Sequence, residues 1–307
     1  MSKKANLTKA KSEKNDEFYT QLSDIENEVK HYKGHFKGKT IFLNCDDPEK
    51  SMFWKYFQLN FNHLGLKKLI ATHFESSKPS YKLTMEHDLN GDGVMDEHDI
   101  VKTPLKQNGD FRSDESIELL KECDIVVTNP PFSLFREYIA QLMEYDKKFL
   151  VVGTVNAVTY KEIFPLIKNN KLWAGVNFNK TMEFMMPDTY IVTKNGRTDE
   201  LGNKYGRVPA IAWYTNLDIK KRHEDVLLHK KYTPEEYPKY DNYEAINVNK
   251  VVDIPLDYTG EVGVPITFLN VFNPSQFELV KFRKGNDNKD LVINGKTPYF
   301  RIIIKRK

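Results

Sequence analysis

The order of secondary structure along this chain constrains its fold more than any other feature of the sequence. Short apolar runs alternate with segments of helical periodicity up to about residue 178. This alternation is typical of an α/β domain with a mainly parallel sheet, whose ligands bind at the carboxyl ends of the strands. The predicted strands are Thr40–Asn44, Lys68–Thr72, Asp124–Thr128, Phe149–Gly153 and Leu172–Phe178. The predicted helices are Ser23–Tyr32, Ser51–Leu64, Ser113–Lys121, Phe135–Tyr145 and Lys161–Lys168.

The second half of the chain has a different character. Two β-rich segments, Thr181–Thr193 and Val208–Asn216, flank the polar stretch Lys194–Tyr205, which predicts a hairpin that closes the sheet. Beyond it prolines recur and helical periodicity fades, so strands and loops should dominate. We therefore predict a boundary near residue 217, with a larger domain over 1–217 and a smaller one over 218–307.

Composition excludes several classes of protein. The two cysteines, Cys45 and Cys123, are too few and too far apart for a disulfide scaffold or a cysteine-type zinc site. The longest mostly apolar run, Phe149–Tyr160, is far shorter than the roughly 20 residues of a membrane span. The basic, polar N-terminus lacks the apolar core of a secretory signal. The expected location is the cytoplasm.

The strongest local signal is the segment Asp124–Phe132, in which an apolar strand leads directly into Asn129-Pro130-Pro131-Phe132. The prolines stiffen the turn that follows the strand. The side-chain carbonyl of Asn129 and the backbone carbonyl of Pro130 could then form two fixed acceptors for one amino group. Phe132 offers a flat face on which a planar base could stack. The alternative is a proline-terminated strand with a core phenylalanine.

Charge is distributed unevenly although the total is nearly balanced. The chain has 46 Lys and Arg against 43 Asp and Glu. Basic residues are concentrated in residues 1–14 and 275–307, whereas residues 84–124 are strongly acidic. A polyanion would be steered toward the two ends and away from the acidic stretch. A solvated lysine-rich surface is the alternative interpretation.

Several segments in a fixed order resemble one known family. The tetrapeptide at residues 129–132 resembles the (N/D/S)PP(Y/F/W) motif of the amino-group DNA methyltransferases, and the chain is most similar to the EcoRI-type adenine-specific members. The resemblance covers nearly the whole chain. It also includes the following segments: Asn15-Asp-Glu-Phe-Tyr-Thr20, Asn44-Cys-Asp-Asp-Pro48, Gly109-Asp-Phe-Arg-Ser113, Gly263-Val-Pro-Ile-Thr-Phe268 and Asn273-Pro-Ser-Gln-Phe277.

This resemblance implies S-adenosylmethionine as the cofactor. Phe18, Tyr19 and Thr20 resemble the segment that lines the methionine end of the cofactor in such enzymes. Asp110 and Phe111 resemble the pair that holds the adenine ring. Asp110 could instead belong to the N-terminal region of the following helix.

The turn after the first strand departs from the expected glycine-rich pattern, since no glycine occurs between Lys39 and Gly65. The cofactor carries no phosphate, so carboxylates that meet its cationic groups can replace a close backbone approach. Asp46 and Asp47 are the carboxylate candidates, and Asn44 at the start of this turn is a further candidate for binding the cofactor. Glu75, just beyond the second strand, is the candidate for the ribose hydroxyls.

A separate acidic segment, Asp88–Asp99, resembles an EF-hand calcium loop in the spacing of its oxygen side chains and its central glycine. Its twelfth residue is Asp99 rather than the usual glutamate, and Pro104 shortens any following helix. The alternative is an acidic hairpin between strands. No metal is needed for methyl transfer to an amine.

Together these features imply a Rossmann-like S-adenosylmethionine-dependent methyltransferase sheet with a smaller C-terminal target-recognition domain. We expect methylation of the exocyclic amino group of an adenine flipped out of double-stranded DNA, with a possible companion restriction endonuclease. The alternatives are an RNA or protein-glutamine methyltransferase, and a catalytically silent nucleic-acid-binding module. The candidate phosphate contacts are Lys220, Lys221, Arg222, Lys281, Arg283, Lys284, Arg301, Lys305 and Arg306.

Overall fold

The computed structural model describes residues 19–45, 47–76, 79–186, 191–283, 291–298 and 300–307. The side chain of Arg283 is not among the described parts. No helix within the described residues is long and apolar enough to cross a membrane.

The larger sheet has four parallel strands at its centre. Its strands are β1 (Tyr19–Thr20), β2 (Thr40–Leu43), β3 (Lys68–Thr72), β4 (Tyr81–Met85), β5 (Ile100–Pro104), β6 (Ile125–Thr128), β7 (Lys148–Thr154), β8 (Trp173–Met186), β9 (Arg197–Thr198) and β10 (Lys204–Thr215). The parallel strands lie in the order β7-β6-β2-β3. All residues of β2 and β6 are buried, as continuous apolar runs covered on both faces should be. The first four predicted strands are thus confirmed.

Both flanks of this sheet are antiparallel, so the prediction of a mainly parallel sheet is wrong there. β4 and β5 form a hairpin beyond β3, and β10 pairs antiparallel with β7 on the other side. The predicted strand Leu172–Phe178 is the beginning of β8, which lies beside β10 and pairs antiparallel with β1. Because β10 lies between β7 and β8, this segment does not join the parallel set formed by β7, β6, β2 and β3.

The predicted hairpin at residues 181–216 is confirmed in its main feature, because β8 and β10 are neighbours in the sheet. The polar stretch between them is not all turn. It contains β9 and the first two residues of β10, which pair as Lys204 with Thr198 and Tyr205 with Arg197. Residues 187–190 of this region lie outside the described residues.

Helices pack beside strands of the larger sheet and of a second one. They are α1 (Leu22–Val29), α2 (Lys33–Phe36), α3 (Met52–Leu59), α4 (Phe61–Leu64), α5 (Asp114–Glu122), α6 (Phe135–Glu144) and α7 (Phe164–Lys168). Helix α3 packs beside β3, α5 beside β2 and α6 beside β7, whereas α7 packs beside Phe277–Arg283, a strand of the second sheet. The side chains of Ser51 and Ser113 accept hydrogen bonds from the first turns of α3 and α5. The predicted helix Ser51–Leu64 is interrupted at Asn60, whose side chain donates to the carbonyl of Tyr56 over 2.8 Å.

A second sheet lies toward the C-terminus. Its strands are β11 (Lys239–Tyr240), β12 (Tyr243–Asn247), β13 (Val262–Pro265), β14 (Phe277–Arg283) and β15 (Arg301–Arg306), in the order β11-β12-β13-β15-β14. The described residues after Leu217 form only strands, loops and short 3₁₀ turns. This agrees with the loss of helical periodicity and the recurrent prolines in that part of the sequence.

Contacts between residues divide the chain into two compact units. The first contains residues 1–155 and 179–217, and the second contains residues 156–178 and 218–307. The segment 156–178, which the sequence places in the larger domain, groups with the C-terminal unit. The functional division at residue 217 remains a prediction.

Candidate active site

The carboxyl ends of β2 and β6 mark the point at which the parallel strand order reverses. From β2 the chain passes to β3 on one side, and it returns to β6 on the other side of β2. Asn44 follows β2 and Asn129 follows β6, so both lie at the same edge of the sheet. The backbone N–H of Cys45 donates to Oγ1 of Thr128 over 3.2 Å and joins the two strand ends. Open α/β sheets bind ligands at such a switch point.

The segment Asn129–Phe132 occupies this edge between β6 and α6. Asn129 is 7% exposed and its side-chain oxygen is buried. Pro130 is also buried, whereas Pro131 and Phe132 are partly exposed. The N–H of Leu134 donates to the carbonyl of Pro131 over 2.9 Å, in a 3₁₀ turn that leads into α6. The segment is therefore fixed between β6 and the 3₁₀ turn before α6. The roles of its four residues remain predictions.

Asn44 has one satisfied and one unsatisfied end. Its Oδ1 accepts a hydrogen bond from the hydroxyl of Tyr138 on α6, and Sγ of Cys45 lies 3.8 Å from the same oxygen. Its Nδ2 is buried and has no hydrogen-bond partner in the described structure. A buried donor without a partner costs about 1–3 kcal/mol, so this amide is suited to a ligand acceptor. The sequence prediction missed Tyr138, because its helical spacing with Phe135 is typical of a core residue.

Thr20 is a second buried polar residue with unused hydrogen-bonding capacity. It has no exposed surface, and its Oγ1 has no hydrogen-bond partner within the described parts of the chain. Its backbone pairs with Phe184, and β1 packs beside α3. Tyr19, its neighbour, is 8% exposed. Phe18 lies outside the described residues.

Asp110 forms a bidentate ion pair with the next residue but one. Nε of Arg112 lies 2.8 Å from Oδ1 of Asp110, and Nη2 lies 2.7 Å from Oδ2. The guanidinium lowers the pKa of Asp110, while partial burial opposes this effect. The carboxylate therefore stays ionised and keeps lone pairs for a further donor. The backbone N–H of Arg112 also donates to Oδ1, which fixes the carboxylate as the start of a turn.

Phe111 connects this turn to α6. Its ring is 5% exposed and meets the ring of Tyr138 edge to face, with 5.1 Å between the centroids. Its carbonyl accepts from Nε2 of Gln141 over 3.1 Å. The structure therefore brings together the three predicted segments at Asn44, Phe111 and Asn129, with Tyr138 in contact with the first two. Arg112, Tyr138 and Gln141 were not predicted.

Gly109 allows the turn before Asp110 to approach the end of β3. Its φ is +78°, and a Cβ at this position would lie 2.0 Å from the carbonyl oxygen of His73. The backbone N–H of Glu75 donates to the carbonyl of Asn108 over 2.9 Å in the same contact. Glu75 is partly buried beside the Asp110 turn, and its contact with the ribose hydroxyls stays a prediction.

Asp47 lies in the loop between β2 and α3. Its side chain is 17% exposed, and its Oδ2 lies 3.8 Å from Nε2 of His73. Its Oδ1 accepts from the backbone N–H of Glu49 over 2.9 Å. Asp46 lies outside the described residues. Of the two aspartates, only Asp47 can be given a position.

The acidic segment Asp88–Asp99 forms the loop of the β4–β5 hairpin. Asp88 accepts from the backbone N–H groups of Gly91 and Gly93 over 2.6 and 2.8 Å. Asp99 accepts in the same way from Leu89 over 2.7 Å. The described residues contain no group of three or more His, Cys, Asp or Glu side chains arranged to hold a metal ion. The antiparallel pairing of β4 with β5 makes this segment the loop of a hairpin.

Two of the predicted phosphate contacts, one buried and one mostly buried, pack against other residues of the C-terminal unit. Arg301 is 8% exposed, and its guanidinium donates to Oδ1 of Asn247 and Oδ1 of Asn249 over 3.1 and 2.9 Å. The side chain of Arg222 is 12% exposed and lies over the ring of Trp173, 3.7 Å from its centroid. These positions argue against phosphate contacts by either arginine.

The remaining basic candidates differ in their exposure to solvent. Lys220, Lys281, Lys305 and Arg306 are exposed, and Nζ of Lys281 lies 4.7 Å from the centroid of the Tyr243 ring. Lys221 donates to the carbonyl of Val176 over 2.9 Å and is only partly exposed. Lys284 and the side chain of Arg283 lie outside the described parts.

Comparison with known proteins gives matches along nearly the full length. The family model described as adenine-specific methyltransferase EcoRI matches residues 6–307. The type II methyltransferase M.EcoRI of Escherichia coli is 54% identical, over 98% of this chain and 96% of that protein. The type II methyltransferases M.MgeORF184P of Mycoplasma genitalium and M.MpnI of Mycoplasma pneumoniae are 44% and 41% identical, each over 98% of both chains.

Proposed function

This chain belongs to the EcoRI family of adenine-specific methyltransferases, and on that basis we propose how its residues bind S-adenosylmethionine and direct methyl transfer. It is a site-specific DNA adenine methyltransferase, and a role in restriction-modification agrees with its relatives. Membership of this family favours DNA adenine over RNA or protein glutamine. The observation that carries the residue assignments is the contact between the ends of β2 and β6 at the strand switch point.

The residues at this edge fit the chemistry of S-adenosylmethionine. Nδ2 of Asn44 and Oγ1 of Thr20 are buried polar atoms without partners in the described structure, and each could bind a polar group of the methionine end. The carboxylates of Asp46 and Asp47 suit the cationic groups. Asp110 would accept from the adenine amine while Phe111 packs near the ring, and Tyr19 and Phe18 would complete the lining. When bound, this cofactor supplies a methyl group activated by a sulfonium.

Asn129 and Pro130 would orient the adenine amine. The exocyclic nitrogen of adenine is a poor nucleophile, because its lone pair is delocalised into the ring. Acceptance of both amine hydrogens by Oδ1 of Asn129 and the carbonyl of Pro130 would favour a pyramidal nitrogen and aim its lone pair. The oxygen of Asn129 is covered in the structure, so entry of the base must first expose it.

The target base must leave the duplex to reach this edge. Extrusion costs a few kcal/mol, and stacking on the partly exposed ring of Phe132 recovers part of this cost. Pro131 keeps that ring next to the acceptor carbonyl by restricting the backbone. The four residues at 129–132 therefore combine hydrogen-bond acceptance, rigidity and stacking.

Exposed basic residues of the C-terminal unit would contact DNA phosphates. Lys220, Lys281 and Arg306 are the candidates that the structure leaves on the surface, and Lys305 is a further one. Phosphate contacts position a protein on the duplex, whereas base contacts determine the sequence. We further propose that the enzyme acts in the cytoplasm and shares its DNA site with a companion restriction endonuclease.

The test of this proposal is to identify the methylated product. The purified full chain is incubated with S-adenosylmethionine carrying a labelled methyl group, in separate reactions with duplex DNA, RNA and protein. We expect label only in DNA, as N6-methyladenine at one short sequence found by mapping the modified positions. Label in cytosine, RNA or glutamine, or no transfer at all, would contradict it.

A further inference from the structure

Tyr138 makes two separate contacts that core packing alone does not require. It has no exposed surface, and its ring packs edge to face against Phe111. Its hydroxyl donates to Oδ1 of Asn44, which follows the neighbouring strand β2. Burial raises the pKa of Tyr138 well above its ordinary value, so the hydroxyl keeps its proton at any working pH. It therefore remains available as a donor.

This donor determines which end of the Asn44 amide is free. The two ends of a carboxamide have nearly the same shape, and its orientation follows from its hydrogen bonds. The Tyr138 hydroxyl and the nearby Sγ of Cys45 both face Oδ1, so Nδ2 is left as the buried end without a partner. If the amide were turned over, the proton of Tyr138 would face the sulfur of Cys45, which is a weak acceptor.

We infer that Tyr138 is a positioning residue that holds the Asn44 amide so that Nδ2 donates to an acceptor of S-adenosylmethionine. This inference rests on the proposed cofactor site. An amide that presents N–H groups selects an acceptor, such as a carboxylate oxygen, and disfavours an ammonium group at the same place. The helix that follows the Asn129–Phe132 segment would in this way fix a donor of the cofactor site.

Replacement of Tyr138 by phenylalanine separates the two contacts, because Tyr138→Phe keeps the ring against Phe111 and removes only the hydroxyl. We expect the affinity for S-adenosylmethionine, measured by calorimetry on the full chain, to fall by about fivefold to tenfold, the effect of one net hydrogen bond. The value of kcat at saturating cofactor should stay within about twofold, since no transition-state contact is lost.

A double-mutant cycle tests whether Tyr138 acts through Asn44. Asn44→Ala removes both the acceptor and the proposed donor, so adding Tyr138→Phe to it should weaken binding no further. Asn44→Asp keeps an acceptor for the Tyr138 hydroxyl and removes the proposed donor, so it can replace the alanine variant if that variant fails to fold. The Asn44→Asp variant should bind S-adenosylmethionine more weakly than Tyr138→Phe does. Thermal unfolding of each variant reports whether the chain is folded at the temperature of the titration.

Tyr32→Phe is the matched control for loss of a buried hydroxyl. Tyr32 is also fully buried in the first unit, and its hydroxyl donates to Oε1 of Glu28 over 2.7 Å. It should lower thermal stability and leave cofactor affinity unchanged. Three outcomes would overturn this inference and leave the proposed cofactor untouched. They are unchanged affinity in Tyr138→Phe, additive losses in the double-mutant cycle, and an equal loss of affinity in Tyr32→Phe. Failure of the unaltered chain to bind S-adenosylmethionine would instead overturn the proposed cofactor, and the inference with it.

Discussion

Buried polar groups have opposite surroundings in two regions of this molecule. In the larger sheet, Nδ2 of Asn44 after β2 and Oγ1 of Thr20 in β1 are buried and lack partners within the described structure. In the C-terminal sheet, the guanidinium of Arg301 donates to two asparagines, and the hydroxyl of Tyr240 donates to Oδ1 of Asn247 over 2.8 Å. The first arrangement leaves hydrogen-bonding capacity for a ligand, whereas the polar groups of the second are satisfied by one another.

This difference could not be read from residue type. The sequence predicts that Arg301 contacts DNA, yet its hydrogen bonds make it part of the sheet. Burial raises the pKa of Tyr240 to about 12, so that hydroxyl also stays a donor in the same network. A buried polar residue therefore indicates a binding site only where its own chain leaves hydrogen-bonding capacity unused.

The largest expected effect comes from Asn129→Ala. Methyl transfer to DNA should fall by about 10²–10³, because the lost acceptor serves the reacting amine, and cofactor affinity should change little. Single-turnover methylation and calorimetry measure the two quantities. Asn62→Ala, a change of an exposed asparagine in α4, is the control that should change neither. Near-normal transfer in the Asn129 variant would reject its assignment.

Arg301→Ala should give the next largest effect, on stability rather than on activity. Loss of the guanidinium removes its hydrogen bonds to Asn247 and Asn249 and the packing of a buried side chain, which should lower the free energy of unfolding by about 2–4 kcal/mol. Denaturant unfolding measures this loss. Lys305→Ala, an exposed change on the same strand, should stay within about 0.5 kcal/mol. Equal stability of the two variants would mean that the Arg301 network is not structural.

Asp110→Ala should weaken binding of S-adenosylmethionine by about 1–3 kcal/mol, since a buried amine would lose its acceptor. Calorimetric titration measures the change. Glu137→Ala removes the more distant partner of Arg112, at 3.4 Å, and controls for the freed guanidinium. If neither Asp110→Ala nor its control changes the dissociation constant for S-adenosylmethionine, Asp110 has only a structural role at the start of the turn.

The depressed pKa of Asp110 gives this prediction a pH dependence. Its carboxylate stays ionised below the ordinary aspartate pKa of about 3.9, so its share of cofactor affinity should not vary between about pH 5 and pH 8. The Asp110–Arg112 pair contributes stability above the unfolded-state pKa, and this contribution is lost as pH falls through the lower folded-state value. If the unaltered chain loses affinity for S-adenosylmethionine near pH 6 and Asp110→Ala does not, the predicted constancy of affinity would be contradicted.

The smallest effects are expected from the exposed lysine and arginine side chains of the second sheet. Lys281→Ala and Arg306→Ala should each weaken binding to all DNA sequences alike and reduce the slope of log affinity against log salt by about 0.9. Lys121→Ala on α5 is a control in the other unit. A loss confined to the cognate sequence would instead indicate contact with a base.

Sequence patterns predicted the parts of the fold that depend on local chemistry. β2 and β6 are short apolar runs, and the prolines at 130 and 131 dictate the turn that follows β6, so both were predictable. β4 and β5 were missed, because each is only five residues long and contains lysine and threonine, although apolar and polar residues do alternate in β4. Arg301 and Lys281 both lie in strands rich in apolar residues, and only strand pairing decides which one is buried.

The most direct test of this comparison is a crystal structure of the full chain with S-adenosylhomocysteine, the product left after methyl transfer. We predict that Nδ2 of Asn44 and Oγ1 of Thr20 each lie within about 2.7–3.2 Å of a polar atom of the ligand. The Tyr138 hydroxyl should still face Oδ1 of Asn44, and the Arg301 network should be unchanged. A ligand bound away from the ends of β2 and β6, with both atoms still lacking a partner, would contradict the account.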